Sequence, residues 1–268
     1  MKVYNNYKPE DVTVVVCAYK TCEYLEESIK SVLNQSVKPN VVISTSTPNE
    51  FIQGMADKYN LPVWINNDGG HAKDYNFAIH QTKTKVCIMA HQDDLLHEDF
   101  VKESLRGLNE AKNPIIAFTD YKEIHGTVLD KKDSKMVKIK RLLLTPVKGR
   151  ILRGTKLGKF LCLCFGDPIT HPSVTYVCDQ MPDDCFREQY KSAMDWDLWE
   201  RLSKQDGDFV YVNKILFFHR MHEGTQTAKL IEQTNDRYNE DFEILNRFWP
   251  KWITKFIMHF YSKAQSFY

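Results

Sequence analysis

What the chain lacks narrows it quickly. None of its seven cysteines, at 17, 22, 87, 162, 164, 178 and 185, forms a Cys-x-x-Cys pair, which argues against a zinc site or dithiol redox chemistry. Most sit inside apolar runs, and an odd number of free thiols suits a reducing compartment. No run approaches the ~18 apolar residues needed to span a bilayer. The first eleven residues are polar and carry no apolar core of the signal-peptide kind, so a cytoplasmic location is expected. Charge of one sign is missing too. With 36 Lys and Arg against 35 Asp and Glu, no global field draws the chain to nucleic acid, and no nucleic-acid partner is expected. Neither a Gly-x-Gly-x-x-Gly nor a Walker pattern occurs. Gly69-Gly70 could at most bring backbone amides to a phosphate.

What is present is alternation. Thr13 to Ala18, Val41 to Ser44, Pro62 to Ile65, Val86 to Ala90 and Ile115 to Thr119 are short apolar runs that read as buried strands. Helical patterns separate them: Leu25 to Leu33 with Thr21 as N-cap, Pro48 to Tyr59, Ala72 to Thr82, and Glu98 to Asn109. This order predicts an α/β fold with a mostly parallel sheet flanked by helices. The pattern fades after Tyr121. The Lys-rich residues 130–160 suggest a mobile or acceptor-side insertion rather than a separate domain. Order returns at Ser173 to Val177, at the helical stretch Asp195 to Lys204, and at Phe209 to Phe218, which Asn213-Lys214 interrupts. Residues 1–228 are expected to form one domain and 229–268 a C-terminal helical extension. Within the extension Trp252, Phe256 and Phe260 make an apolar stripe among bases. Core packing or an oligomer contact explains such a stripe, and a peripheral membrane contact stays open. The oligomeric state is not legible.

Four polar clusters follow apolar runs. His91-Gln92-Asp93-Asp94 sits on the C-terminal rim of a strand, where open α/β sheets bind ligands. Two carboxylates there suit a divalent cation or a set of hydroxyls, and the plainer alternative is an acidic turn capping the next helix. Asp195 and Asp197 open a helix. Residues two apart point in different directions, so one can face a cleft as a general base while the other caps the helix. In His219-Arg220-Met221-His222-Glu223 a metal contact and a phosphate contact are equally compatible. Two prolines fix the turn Asp167 to Ser173 that presents His171.

Together these segments resemble the inverting family-2 glycosyltransferases. Thr13 to Lys20 with Tyr24 to Ser36 is similar to the family's opening, and Gly70 to Ile79 to its helix before the metal-binding strand. His91-Gln92-Asp93-Asp94 falls where the family has Asp-x-Asp-Asp, Met194 to Trp199 where it has Glu-Asp-x-Asp-Leu-Trp, and Arg220 to Thr225 where it has Arg-x-His. The resemblance covers roughly residues 12 to 228. It implies a GT-A fold, a UDP-, GDP- or dTDP-sugar donor, and Mn2+ or Mg2+ on the diphosphate. It implies Asp195 as base, with Asp93, Asp94 and His222 as metal ligands. The donor set would be Ala18, Tyr19, Lys20, Ser44, Lys73, Asn76, Gln92, Asp93 and Arg220, and the acceptor set His171, Trp196 and Asp197. The acceptor would be a glycan or lipid-linked saccharide, in polysaccharide biosynthesis at the inner face of the membrane. His91 stands where the family has Asp, so its part in the metal or ribose site is open. Ser44 to Thr47 lacks the family's acidic nucleobase contact, Met194 replaces a Glu, and Tyr75 replaces a frequent Arg. A catalytically silent nucleotide-sugar or glycan-binding protein of the same fold is the alternative. A nucleotidyltransferase fits poorly, since Cys17 to Cys22 offers only Lys20 as a base.

Overall fold

The computed structural model describes residues 2–126, 128–222 and 236–265. The boundary expected near 228 and the segment Glu223-Gly224-Thr225 lie outside the described residues. The first half follows the predicted alternation. β1 (Val12–Ala18), α1 (Leu25–Leu33), β2 (Asn40–Thr45), α2 (Glu50–Tyr59), β3 (Val63–Ile65), α3 (His71–Gln81), β4 (Val86–His91), β5 (Leu95–Leu96), α4 (Phe100–Glu110) and β6 (Pro114–His125) come in that order. β7 (Val128–Leu129), α5 (Lys135–Leu143), α6 (Thr145–Lys148), α7 (Lys156–Leu163), β8 (Val174–Val177), α8 (Met194–Ser203) and β9 (Asp208–Met221) follow, then α9 (Asp236–Phe248) and α10 (Lys251–Gln265). Among the described residues the strands make one mixed sheet, ordered β3-β2-β1-β4-β8-β6-β9-β5, with β7 on β6. β1 to β4 are mutually parallel, and β8 runs antiparallel between β4 and β6.

Period-two alternation splits the core into two layers. Val14, Val16, Ile88 and Ala90 face α1, α2 and α4 on one side. Val15, Cys87 and Met89 face Tyr75 of α3 and Trp196 and Trp199 of α8 on the other. Each of these aliphatic side chains, buried completely, contributes roughly 1.5–3 kcal/mol. The expected interruption at Asn213-Lys214 is a β-bulge: Thr119 pairs with Val212 and Asp120 with Ile215, so two residues are looped out.

Three local expectations change. Thr21 does not cap α1, which starts from Tyr24 without a side-chain cap. β6 runs on to His125 because Asp120 is neutralised by Arg141, 2.7 Å away. Residues 130–160 hold three helices, and Ser134 and Thr155 cap two of them by accepting from Val137 and Gly158. All seven cysteines are free.

The order β2-β1-β4 reverses direction at the β1/β4 boundary, which in doubly wound sheets opens a crevice at the strand C-termini. Cys17 of β1 is paired with His91 of β4 there. The polar clusters gather around that rim.

Candidate active site

Gln92 joins the two strand ends, accepting from the Tyr19 N–H at 2.8 Å and donating to the Tyr19 carbonyl at 3.2 Å. Lys20 takes a left-handed conformation (φ 55°) and donates its N–H to Thr47 at 2.6 Å. Beside this bend an open cleft of about 620 Å³ is lined by Lys20, Thr21 and residues 47–51. Lys20 lines it and Tyr19, the residue before, is exposed, whereas Ala18 and Ser44 are buried in their strands. Gly69 and Gly70, at φ 58° and 121°, make the turn into α3.

His91, Asp93 and Asp94 each bring one ligand atom to a common point, all within 4.8 Å of one another. Their setting fits a divalent cation. Arg220 N–H (2.8 Å) and His219 Nδ1 (3.1 Å) satisfy Asp94 Oδ1. Asp94 Oδ2, also buried, has no hydrogen-bond partner and faces His91 Nδ1 at 3.7 Å. Tyr75 Oη (2.9 Å) and His171 Nδ1 (3.2 Å) engage His91 Nε2. That leaves Nδ1 turned toward Asp94, as an outer partner orients a ligating imidazole. His222 Nε2 lies 3.1 Å from Asp93 Oδ2. Burial pushes the Asp94 carboxyl up, but His219 outweighs it and holds the carboxyl below its ordinary value.

The second carboxylate pair lies at the start of α8. Asp195 Oδ1 accepts from Trp196 N–H at 2.9 Å, and Asp167 accepts from Ile169 N–H at 3.1 Å. The two carboxyls titrate as a pair. Burial, then the charge of Asp195, raises Asp167 well above the carboxylate range, which makes Asp167 the more readily protonated member. Burial raises Asp195 as well, opposed by the Trp196 N–H, Lys140 and the Asp167 carboxyl. Lys140 comes from the insertion, on α5, and its ammonium is 3.4 Å from Thr170 Oγ1.

The Tyr75 hydroxyl joins His71 (3.0 Å) to His91 (2.9 Å). Burial, above all, raises its phenol, and the charges of Cys17, Asp93, Asp195 and Asp94 add to that. Burial lowers His71 to about 4 and His171 well below its ordinary value, so these imidazoles are neutral.

Several expected contacts are placed differently. Neither Asp195 nor Asp197 caps α8. Glu240 of α9 holds the loop that leads into the helix, accepting from the backbone N–H groups of Lys191, Ser192 and Ala193 at 2.9–3.0 Å. Asp197 is fully buried against Arg247 (2.6 Å) and Arg201 (2.9 Å), and Trp196 is buried in the core, so neither can meet an acceptor. His171 is likewise buried, packed on Tyr75 and Phe186. Both functions of the Asn76 amide are spent on the Phe186 backbone at 2.8 Å, which removes it from the donor set. Arg220 is 1 % exposed and lies under Tyr24. It donates to the Asp93 carbonyl (2.8 Å), to Glu27 (2.6 Å) and to the Gly126 carbonyl, so it holds the metal loop rather than facing a diphosphate. Lys73 is exposed beside Glu188 at 3.7 Å. Sequence reasoning assigned no role to Asp167, Lys140, His71 or Glu240. Only Asp167 carried a signal, as the residue opening the Pro-rich turn.

No curated protein matches the chain. Among solved structures, S. aureus TarS 1-349 in complex with UDP-GlcNAc superposes with a TM-score of 0.61 at 16 % identity, over 92 % of this chain and 70 % of that one. The mannosyltransferase PcManGT from Pyrobaculum calidifontis, in complex with GDP-Man and Mn2+, gives 0.62 at 14 %, over 94 % and 70 %. Glucosyl-3-phosphoglycerate synthase from Mycobacterium tuberculosis, with Mn2+, UDP-glucose and phosphoglyceric acid, gives 0.57 at 13 %, over 88 % and 79 %. These likenesses establish the GT-A fold. Residues 13–167 match the family model described as glycosyl transferase family 2, and with more than half of its length so covered the chain belongs to that family of glycosyltransferases.

Proposed function

We propose that the protein is an inverting glycosyltransferase that moves a sugar from a UDP-, GDP- or dTDP-sugar to a hydroxyl of a glycan or lipid-linked saccharide, working in the cytoplasm at the inner face of the membrane. Asp195 is the base. The acceptor oxygen attacks the anomeric carbon as Asp195 takes its proton, and the bond to the diphosphate breaks with its electron pair leaving on the diphosphate oxygen. One displacement from the opposite face inverts the anomeric configuration. A base must be ionised when the acceptor arrives, and Asp167, raised further than Asp195, would be the member of the pair that takes the proton first.

Asp93, Asp94 and His91 would hold Mn2+ or Mg2+, with His222 beside them on Asp93. A cation there supplies positive charge against the negative charge that builds on the leaving diphosphate. Lys20 on the cleft, with the exposed Tyr19 beside it at the end of β1, would meet the nucleotide. The observation that carries this reading is the buried, unpartnered Asp94 Oδ2 facing His91 Nδ1 at the sheet's switch point.

The test is calorimetric binding of UDP-, GDP- and dTDP-sugars, with and without Mn2+, to the wild type and to Asp93→Ala. Metal-dependent binding of one donor, lost in the variant, is the expected result. No binding in any condition would favour the silent glycan-binding alternative.

A further inference from the structure

Residues 130–160 carry eleven Lys and Arg against two Asp, in a chain whose net charge is +1. The same region exposes large aliphatic side chains. Ile151 is 88 % exposed and Leu142 71 %. On α7, Cys162 and Leu163 turn inward while Leu157 and Leu161, four residues apart, share the outward face. Leu152 is pressed against this helix, since a Cβ on Gly158 would overlap the Leu152 carbonyl, and the exposed Ile151 adjoins it in sequence. At the far end of α7 the exposed Phe165 ring lies 5.5 Å from the Trp249 ring, and Trp249 donates to the Cys164 carbonyl at 2.6 Å. That bond anchors the start of α10, where Trp252 is 73 % exposed, one turn before the exposed Phe256. Thr254 and Met258 of the same helix point inward. Exposed apolar side chains therefore recur from the turn before α7 to the outer face of α10, the two segments being joined at Phe165 and Trp249. Lys148, Arg150 and Lys156 flank the first segment and Lys251 and Lys255 the second, all exposed.

An aliphatic and aromatic strip rimmed by bases has the composition of a surface that lies in a lipid interface. We propose that this strip, from Ile151 along α7 to Trp252 and Phe256 on α10, seats the protein on a bilayer containing anionic lipid. It sharpens the membrane placement put forward above, though its geometry does not depend on the catalytic reading. Charge complementarity selects this occupant. A second copy docked across a two-fold axis would bring the same bases toward one another, whereas anionic headgroups neutralise them and the acyl boundary takes the apolar residues. No helix among the described residues is long and apolar enough to cross a membrane, so the contact is peripheral.

The test is cosedimentation of the full chain with vesicles of phosphatidylcholine alone and of phosphatidylcholine with phosphatidylglycerol, at low and high salt. The expected result is binding to the anionic vesicles only, weakened by salt, with a blue shift of tryptophan fluorescence. Lys148→Glu and Lys255→Glu each weaken it at least about fivefold, and Ile151→Glu with Leu161→Glu at least about tenfold. These positions are exposed, so circular dichroism is unchanged and donor binding, measured by calorimetry, is kept. Absence of binding to anionic vesicles would overturn the proposal. So would a dimer of the wild type that Leu161→Glu dissociates, which would assign the strip to a second copy. Loss of turnover with vesicle binding intact would count against the catalytic reading alone.

Discussion

Two pairs of aspartates, one after β4 and one at the start of α8, behave in opposite ways. Asp93 and Asp94 are met by donors and imidazoles: Arg220 N–H and His219 on Asp94, His222 on Asp93. Asp167 and Asp195 have chiefly each other, and Asp167 is the more readily protonated. The side chains are identical, so the difference is set by what the fold places around them. Donors keep the first pair charged, as a cation site would need, while burial with few donors raises the second pair, as the proposed proton-accepting role would use.

The comparison breaks most visibly at Asp195. Asp195→Asn removes the proton acceptor but leaves the first pair untouched. Turnover is expected to fall roughly a thousandfold while metal-dependent donor affinity is retained. Steady-state rates and calorimetry on one preparation check it, and normal turnover would falsify the base assignment.

The next effect separates Asp195 from Asp197, two residues along the same helix. Asp197 is sealed by Arg247 and Arg201, and stripping a partner from a buried charge is costly. Arg247→Met should lower unfolding stability by about 3 kcal/mol. The expected signature is a reduced denaturant midpoint with donor affinity unchanged, and a lost affinity at unchanged stability would return Asp197 to the binding site.

A smaller effect tests the second pair from within. Asp167→Asn keeps a donor toward Asp195 and removes the second carboxyl, so turnover near neutral pH should change by less than about tenfold. The sign of its stability effect follows from linkage. Burial raises the folded Asp167 carboxyl above its unfolded value, so the folded state binds the extra proton in that window. Its stabilising contribution is present at acid pH and lost as pH rises through the folded value. Asp167→Asn should abolish that loss and be the more stable protein at neutral pH. Denaturation at acid and neutral pH measures it, and a variant with the wild type's slope would place the proton elsewhere.

How far the sequence revealed these differences depends on how local their causes are. β1, β2, β4 and the helices between them were legible because an apolar run or a helical period is a property of adjacent residues. The acidic residues 93, 94 and 195 stood out as motifs on a strand rim and a helix start. What they touch was not legible. Arg220 is held by Glu27, Asn76 by Phe186, and Asp197 by Arg247, partners 193, 110 and 50 residues away. The loop before α8 is held by Glu240, some fifty residues downstream. The three helices of 130–160 were hidden because they bury little by period. α5 buries only Val137, and α7 turns Lys159 inward to the Gln205 and Gly207 carbonyls. β6 continued past Tyr121 because Arg141 compensates a charge that reads, in isolation, as a strand breaker.

The smallest expected effect concerns the imidazole bonded to Tyr75. His71 donates to or accepts from Tyr75, and burial, then the charge of His91, lowers it to about 4. In the unfolded chain an imidazole titrates near 6.5. Between those values the unfolded chain takes a proton that the folded one refuses, so acid favours unfolding there. The contribution is fully present above about pH 6.5 and is lost as pH falls toward 4, opposite in sign to that of Asp167. His71→Gln preserves a hydrogen-bonding partner for Tyr75 but cannot titrate. Its denaturant midpoint should match the wild type at pH 7 and fall less steeply between pH 6.5 and 4, by a modest part of the total acid effect because other buried groups also contribute. An identical slope in the two proteins would mean that the imidazole is hydrated and protonates in place. The imidazole that Tyr75 links to His91 would then carry charge in acid, and the contrast between the two aspartate pairs would narrow as pH falls.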